Sequence, residues 1–391
     1  MNIKELKIKG KSYKLPVFLP DATLGIVRSL DKEALEKIGV RGVVVNTYYL
    51  NDTPGMDILK EYSVAKVQPS QERQRMRRLD LCKSDDCGSG IKNFMNFNGL
   101  VVSDSGGWQV FSLIKRHGEG GRITDEGVEF KIGGENNRKN KVFTPEDSIR
   151  MQFDIGADIL ICLDDFTGAD DSEEKIKESV ERTILWAKRT RKEFDKIVKE
   201  KRLTDETRPL LFSVIQGGWS KKLRKYCAEE LLKIGFDGYG YGGYMVNDEG
   251  ELDVEMSKYI AELIPDEFPK FALGVGKPWD IARCYEFGWD IFDCVLPTRD
   301  GRHKRLYNIK DKSTEDTDLK DKDSYEFIYI NRAKFAGDKN PIGVDCDCFT
   351  CQNYSKGYLH HLFRIEDMLV YRLATIHNLR VYMRVIENLT N

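Results

Sequence analysis

No stretch of this chain stays apolar for the roughly 20 residues needed to cross a bilayer, which excludes a helical membrane span. The opening MNIKELKIKGKSYK is charged throughout and lacks the apolar centre of a secretion signal, so the expectation is a cytoplasmic protein. Neither charge sign is in excess: 62 basic against 64 acidic residues leave a formal charge of −2. No global positive field therefore advertises a nucleic acid, and any such binding must use a local patch. An even set of cysteines is also missing. The nine present, without a leader, speak against a disulfide framework and for reduced thiols or metal ligands.

What is present is a repeated unit. At 391 residues and 40% hydrophobic composition, the chain can bury one large core with an appendage, or two ordinary domains. Between about residues 40 and 300 a short β-branched run, a polar or glycine-rich end and a helical pattern recur. The runs are RGVVVNT (41–47), GLVVSD (99–104), ADILICLDD (157–165), PLLFSVIQGG (209–218), DGYGYGG (237–243), KFALGVG (270–276) and WDIFDCVLPTR (289–299), with a weaker early candidate around KLPVFLP. Helical patterns over 172–194, 220–236 and 277–288 separate several of them. Near-continuous apolar strands alternating with helices predict a parallel sheet covered on both faces, and the strand count favours an α/β (β/α)8 TIM barrel. A doubly wound sheet would gather its polar residues after one early strand. Here nearly every run instead ends in a reactive or permissive residue: Asp104, Asp164, Gln216, Gly243, Gly276, Asp293. Two polar stretches, 61–92 and 308–325, read as insertions. The predicted division is a catalytic barrel over 1–305 and a zinc-binding subdomain with C-terminal helices over 306–391.

Three motifs carry chemistry. Cys346, Cys348 and Cys351 with a histidine suit a closed tetrahedral zinc site of structural type, and spacing alone leaves His360, His361 and His377 as candidates. Asp104, Asp164 and Asp293 each close an apolar run, where burial and mutual repulsion tune one carboxylate as nucleophile and another as proton carrier. A single such aspartate is more often a cap; three, with Gln216 and paired glycines, are not all caps. PTRDGR (297–302), continued by His303, Lys304 and Arg305, fits a substrate carrying phosphates, its plain alternative being a charged rim loop. Arg73, Arg75, Arg77 and Arg78 are dense enough to contribute to such binding, and Cys82 with Cys87 is a weak second metal half-site. Cys162, Cys227, Cys284 and Cys294 read as small core residues.

The strings DSGGWQVFSL (104–113), IQGG (215–218), GGYMV (242–246), ALGVGKP (272–278), FDCVLPTRDGR (292–302), CDCFTC (346–351), YLHHLF (358–363) and LATIHNL (373–379) closely resemble the tRNA-guanine transglycosylases, bacterial type. The resemblance runs in order from about residue 15 to the end. It implies a zinc-bearing barrel, a homodimer, that exchanges guanine at the wobble position of a tRNA with a G-U-N anticodon for a 7-deazaguanine base. It implies Asp293 as the nucleophile that holds the ribose and Asp104 as the proton carrier. Ser105, Gly106, Gly107, Asp164, Gln216, Gly243 and Tyr244 would bind the base, with Trp108 stacked on its face. Gly274, Val275, Gly276, Lys277, Pro278, Trp279 and Asp280 would contact RNA, as would Thr298, Arg299, Asp300, Gly301 and Arg302. His377 becomes the fourth zinc ligand.

The sequence departs from bacterial relatives in NTYYLND, where they carry a histidine, at Phe166, where they have cysteine, and in GGYMVND, where they read GGLAVGE. Val246 is retained, and a bulky residue there accompanies use of 7-aminomethyl-7-deazaguanine rather than queuine. Two rival readings are a transglycosylase acting on DNA and a non-catalytic tRNA-binding partner subunit. The presence of both Asp104 and Asp293 opposes the second.

Overall fold

A computed structural model describes residues 3–63, 90–107, 121–132, 139–168, 170–247, 249–310 and 318–390. Trp108, Asp248, Cys82, Cys87, the arginines at 73–78, most of 61–92 and residues 311–317 lie outside the described residues.

The chain opens with a hairpin, β1 (Glu5–Ile8) and β2 (Lys11–Lys14). Eight strands then form one parallel sheet: β3 (Val17–Pro20), β4 (Gly42–Asn46), β5 (Leu100–Asp104), β9 (Ile159–Ile161), β10 (Leu210–Ile215), β11 (Gly238–Tyr241), β12 (Lys270–Ala272) and β13 (Ile291–Cys294). In space the first strand pairs with the last, and a parallel bridge between Asp21 and Val44, with Ala22 N–H on the Val44 carbonyl at 2.7 Å, joins β3 to β4. The sheet closes into a (β/α)8 barrel. All eight strands fall within the apolar runs of the sequence, including the weak early one.

Side-chain alternation explains what the barrel encloses. Leu19, Leu100, Val102, Phe212, Val214, Phe271 and Ile291 meet Leu6 and Ile8 of the N-terminal hairpin in one cluster, the barrel interior. Their neighbours Val43, Val45, Val101, Leu211, Ala272 and Phe292 face the surrounding helices. Continuing the period of two from the inward set brings Asp21, Asn46, Asp104, Gln216 and Asp293 to the inner face at the carboxyl ends of their strands.

Two features lie beyond the repeated unit. A three-stranded antiparallel sheet, β6 (Arg122–Ile123), β7 (Val128–Ile132) and β8 (Lys139–Phe143), leaves the barrel after β5, and the helix Pro145–Ile155 brings the chain back. That helix starts at a reciprocal cap between Thr144 and Asp147 and stops at Gly156, φ +80°. After the barrel come an antiparallel pair, β14 (Arg305–Ile309) and β15 (Tyr325–Tyr329), and the long helix Leu369–Leu389. This last helix packs on β3 and on the helices Lys32–Ile38, Pro278–Glu286 and Leu296–Arg302. It covers the barrel flank where an eighth helix belongs, so the C-terminal part of the chain is seated directly on the barrel wall.

Candidate active site and metal centre

Two carboxylates dominate the barrel mouth. Asp104, the last residue of β5, stands opposite Asn46 of β4 in the sheet register. One carboxylate oxygen accepts Asn46 Nδ2 at 2.6 Å; the other accepts the N–H groups of Thr47 at 3.2 Å and Gly106 at 3.1 Å. Asn46 is oriented for this because its Oδ1 caps the following turn by accepting Tyr49 N–H at 2.9 Å. Burial nevertheless outweighs these donors and pushes the Asp104 carboxyl up to about 7, with the Asp293 charge adding to the rise. Ser105 is buried, and its carbonyl accepts Ser148 Oγ at 2.7 Å, which ties the Ser105–Gly106–Gly107 turn to the returning helix.

Asp293 projects from β13 next to Leu19 of β3. Gly274 N–H donates to its Oδ1 at 3.0 Å. Burial pushes this carboxyl up to about 6, with the Asp21 charge contributing. Further round the mouth, Gln216 Nε2 donates to Asp164 Oδ2 at 2.6 Å, and burial lifts Asp164 to about 6. Gln216 is fully buried, yet its Oε1 has no hydrogen-bond partner among the described residues. A buried amide oxygen without a donor is costly in a finished core; at a barrel mouth it is an acceptor open to a donor from outside the protein. Gly242 has to be glycine, since a Cβ there would sit 2.7 Å from the Gln216 amide. Asp165, one residue from Asp164, is committed elsewhere, to an ion pair with Arg182.

One edge of the mouth is aromatic. Phe166 and Tyr244 meet edge to face with ring centres 5.1 Å apart. Tyr244 and Val246 point outward on either side of the buried Met245, so all three side chains that depart from or define the GGYMV motif lie along one extended segment.

The two expected RNA-contact segments divide by burial. Val275, Gly276, Pro278, Trp279, Asp280, Thr298, Asp300 and Gly301 face inward. Asp300 is held by Arg305 at 2.6 Å and by the Tyr307 hydroxyl, and Thr298 Oγ1 donates to the Val295 carbonyl at 3.0 Å. These residues shape the rim from beneath. Gly274, Lys277, Arg299 and Arg302 reach the surface, Arg302 with its buried Nη1 unpaired. PTRDGR is not a loop: Leu296–Arg302 is a helix with Pro297 in its first turn.

At the opposite end of the second region, the ligand atoms of Cys346, Cys348, Cys351 and His377 all lie within 4.8 Å of one another, every residue buried. Nδ1 of His377 faces the three sulfurs at 3.7, 3.6 and 3.2 Å, while Nε2 lies 2.5 Å from the Tyr307 carbonyl. That outer contact takes the ring proton and leaves the Nδ1 lone pair for a metal. The alternatives are removed: His360 Nδ1 is engaged by the Ile330 carbonyl at 2.8 Å, and His361 is exposed. Three thiols and one imidazole fit a metal cation with no open position.

Asn46, Asp21 and the Thr47 amide were not singled out in the sequence. Asn46 was readable as the polar end of RGVVVNT; its pairing with Asp104 depends on strand order, which the sequence does not state.

The chain matches the family profile described as queuine tRNA-ribosyltransferase over residues 2–391. It is 34% identical over 388 residues to the queuine tRNA-ribosyltransferase of Aliivibrio salmonicida, covering 98% of this chain and 88% of that protein. It is 35% identical to the protein of the same name from Blochmanniella floridana, covering 96% and 85%, and 33% identical to that from Methylacidiphilum infernorum, covering 96% and 86%. With the barrel, its carboxylate mouth and the Cys3His cluster all in place, the chain belongs to the queuine tRNA-ribosyltransferase family.

Proposed function

We propose that this enzyme, a pentosyltransferase, exchanges guanine at the wobble position of a tRNA with a G-U-N anticodon for a 7-deazaguanine base. The observation that carries the reading is the pair Asp104 and Asp293: two inward carboxylates at one barrel mouth, raised by burial to different degrees, with the Asp293 charge adding to the rise at Asp104. Asp293, the more acidic, is largely ionised at neutral pH and attacks the ribose C1′. A carboxylate–C1′ bond forms as the C1′–N9 bond breaks. The bond's electron pair passes to N9 of the departing guanine, which takes the proton of Asp104. In the return step Asp104 takes a proton from N9 of the incoming base, whose nitrogen displaces Asp293 from C1′. Both displacements invert C1′, so the outcome is retention. Gln216 Oε1, Asp164 and the Gly243 backbone receive the donor-rich edge of the base, and Arg299, Arg302 and Lys277 meet phosphates at the rim.

The Cys346–Cys348–Cys351–His377 set is read as a structural zinc site, since three thiolates and a histidine are the donor set of closed zinc centres. Zinc there would supply folding energy and no chemistry. The same reading divides the chain into a barrel over 1–305 and a zinc-binding region over 306–391. It also makes the protein a cytoplasmic homodimer. For the incoming base, the Phe166–Tyr244 pair and Val246 favour a small 7-aminomethyl group over the cyclopentenediol of queuine.

The test is incubation with labelled guanine and either tRNA or duplex DNA. Label entering tRNA, released by chase with 7-aminomethyl-7-deazaguanine, supports the reading. Label entering DNA alone overturns the substrate, and label entering neither overturns the activity.

A further inference from the structure

Arg224 has no part in the family motifs, yet it is one of the largest fully buried side chains of the protein. It stands in the first turn of the helix Lys221–Ile234, directly after the Gln216–Gly217–Gly218 turn. A buried guanidinium normally meets a carboxylate. Here its hydrogen-bond partners are three backbone carbonyls: Ile215 at 2.5 Å and Gly242 at 2.7 Å, both from Nη1, and Gly218 at 2.9 Å from Nε. The Tyr241 ring lies against the guanidinium, 4.6 Å from its central carbon.

Two of these carbonyls belong to the peptide units that lead into the base-binding positions. The Ile215 carbonyl shares a peptide plane with Gln216 N–H, and the Gly242 carbonyl with Gly243 N–H. In a planar trans peptide the N–H points opposite to the C=O. Drawing both carbonyls down onto one guanidinium therefore turns both N–H groups away from it and sets the orientation of β10 and β11 ends relative to each other. Gly242 N–H closes the arrangement by donating to the Ile215 carbonyl at 2.9 Å. The fit is tight. A Cβ on Gly217, φ +147°, would come within 2.6 Å of the Arg224 backbone, and one on Gly243 within 3.6 Å of its Nη2.

We propose that Arg224 is a positioning residue for base recognition: its Nη1, held in place by Nε on the Gly218 carbonyl and by the Tyr241 ring, clamps the ends of β10 and β11 so that Gln216 and the Gly243 backbone present one rigid edge to a purine-like base. The proposal rests on the transglycosylase reading and adds to it a residue that never touches the substrate. Lysine would keep one nitrogen for the two strand-end carbonyls but lose the Nε–H on the Gly218 carbonyl and the planar face laid on Tyr241, the two contacts that fix where that nitrogen sits.

The experiment compares wild type, Arg224→Lys and Arg224→Ala in exchange of labelled guanine, titrating guanine at saturating tRNA and tRNA at saturating guanine. The expected result is a rise of about ten- to hundredfold in KM for guanine with KM for tRNA changed less than about twofold. Added guanidinium ion should restore part of the guanine KM of Arg224→Ala. Folding is followed by near-ultraviolet circular dichroism; if neither variant folds, Tyr241→Leu, which keeps the arginine and removes the ring beneath it, should show the same guanine-selective change at smaller size. Folded variants with an unchanged guanine KM, or with both KM values raised alike, would overturn the role. Wild-type protein inert towards tRNA would instead overturn the function itself, so the two failures are distinct.

Discussion

The barrel mouth and the Cys3His cluster are both polar groups buried by the same fold, and they are built in opposite ways. At the cluster, three donors come from six consecutive residues and the fourth from one helix, and the ring's far nitrogen is occupied by the Tyr307 carbonyl. Every polar atom there has a purpose internal to the site. At the mouth, Asp293, Asp104, Asp164 and Gln216 come from four strands spread over nearly 190 residues of sequence (104 to 293). That arrangement is left incomplete: Gln216 Oε1 has no donor among the described residues, and three carboxyls are held above their ordinary range by burial. A region that satisfies itself contributes folding energy, whereas one that leaves groups under-satisfied gives up stability, as binding and catalytic sites generally do.

The largest expected effect crosses this contrast. Asp293→Asn should lower base exchange by at least about 10³-fold and abolish covalent capture of tRNA, with the fold intact. A stable covalent adduct in that variant, seen by denaturing electrophoresis, would show that another group attacks. His377→Ala should do the reverse. Zinc content should fall from about one per chain towards zero, and the C-terminal region should lose protection against hydrogen exchange, because binding energy at a closed site is folding energy. Metal analysis showing full zinc in the folded variant would remove His377 from the ligand set.

Next in size is Asp104→Asn, expected to lower exchange by about 10²- to 10⁴-fold, the usual range for a general acid–base group. In wild type, covalent capture should need Asp293 ionised and Asp104 protonated. Its rate should therefore fall below about pH 6 and again above about pH 7. A flat profile across that range would mean that neither carboxyl titrates in the rate-determining step.

A smaller difference is expected between incoming bases. A cyclopentenediol would have to displace the Phe166–Tyr244 pair and Val246 from an edge that they occupy, at a cost of about 1–3 kcal/mol, so kcat/KM should favour 7-aminomethyl-7-deazaguanine over queuine by roughly ten- to two-hundredfold. Val246→Gly should narrow the gap. Equal use of queuine by wild type would show that the Phe166–Tyr244 pair swings aside.

The contrast also explains what could be read in advance. Strands such as RGVVVNT and PLLFSVIQGG carry their identity in local composition, and the cysteine spacing is local too, so both were legible. The identity of the metal-facing histidine came from the resemblance rather than from spacing, because it depends on which helix returns to the cluster. The sheet β6–β8 and the helix that follows it went unread; the strands of the sheet mix charged and apolar residues. Burial within 274–280 and 298–302 was illegible: Trp279 lay in a predicted helix whose buried face was not named and Asp300 in a stretch whose plain reading was a rim loop, and the helix Leu369–Leu389 packs on both segments. Arg224 lay hidden in a charged helical pattern, where nothing distinguished it from its exposed neighbours.

The smallest expected effect concerns stability at the mouth, and its sign is the sharpest form of the comparison. Asp293 is raised from an ordinary carboxyl value of 3.8 to about 6 in the folded protein. Between those values the native state binds more protons than the unfolded state, so this group's contribution makes stability fall as pH rises from about 4 to about 6. Asparagine is neutral at every pH and can still present an oxygen to Gly274 N–H, which lies 3.0 Å from the Asp293 carboxylate. Asp293→Asn should therefore be as stable as wild type near pH 4 and more stable near pH 8, by a few degrees in Tm at most. Wild type should lose more stability than the variant across that interval. Thermal unfolding followed at both pH values decides the matter: parallel losses in the two proteins, or a lower Tm for the variant near pH 8, would mean that Asp293 is held in place by compensating charges and that the mouth stores no instability at this position.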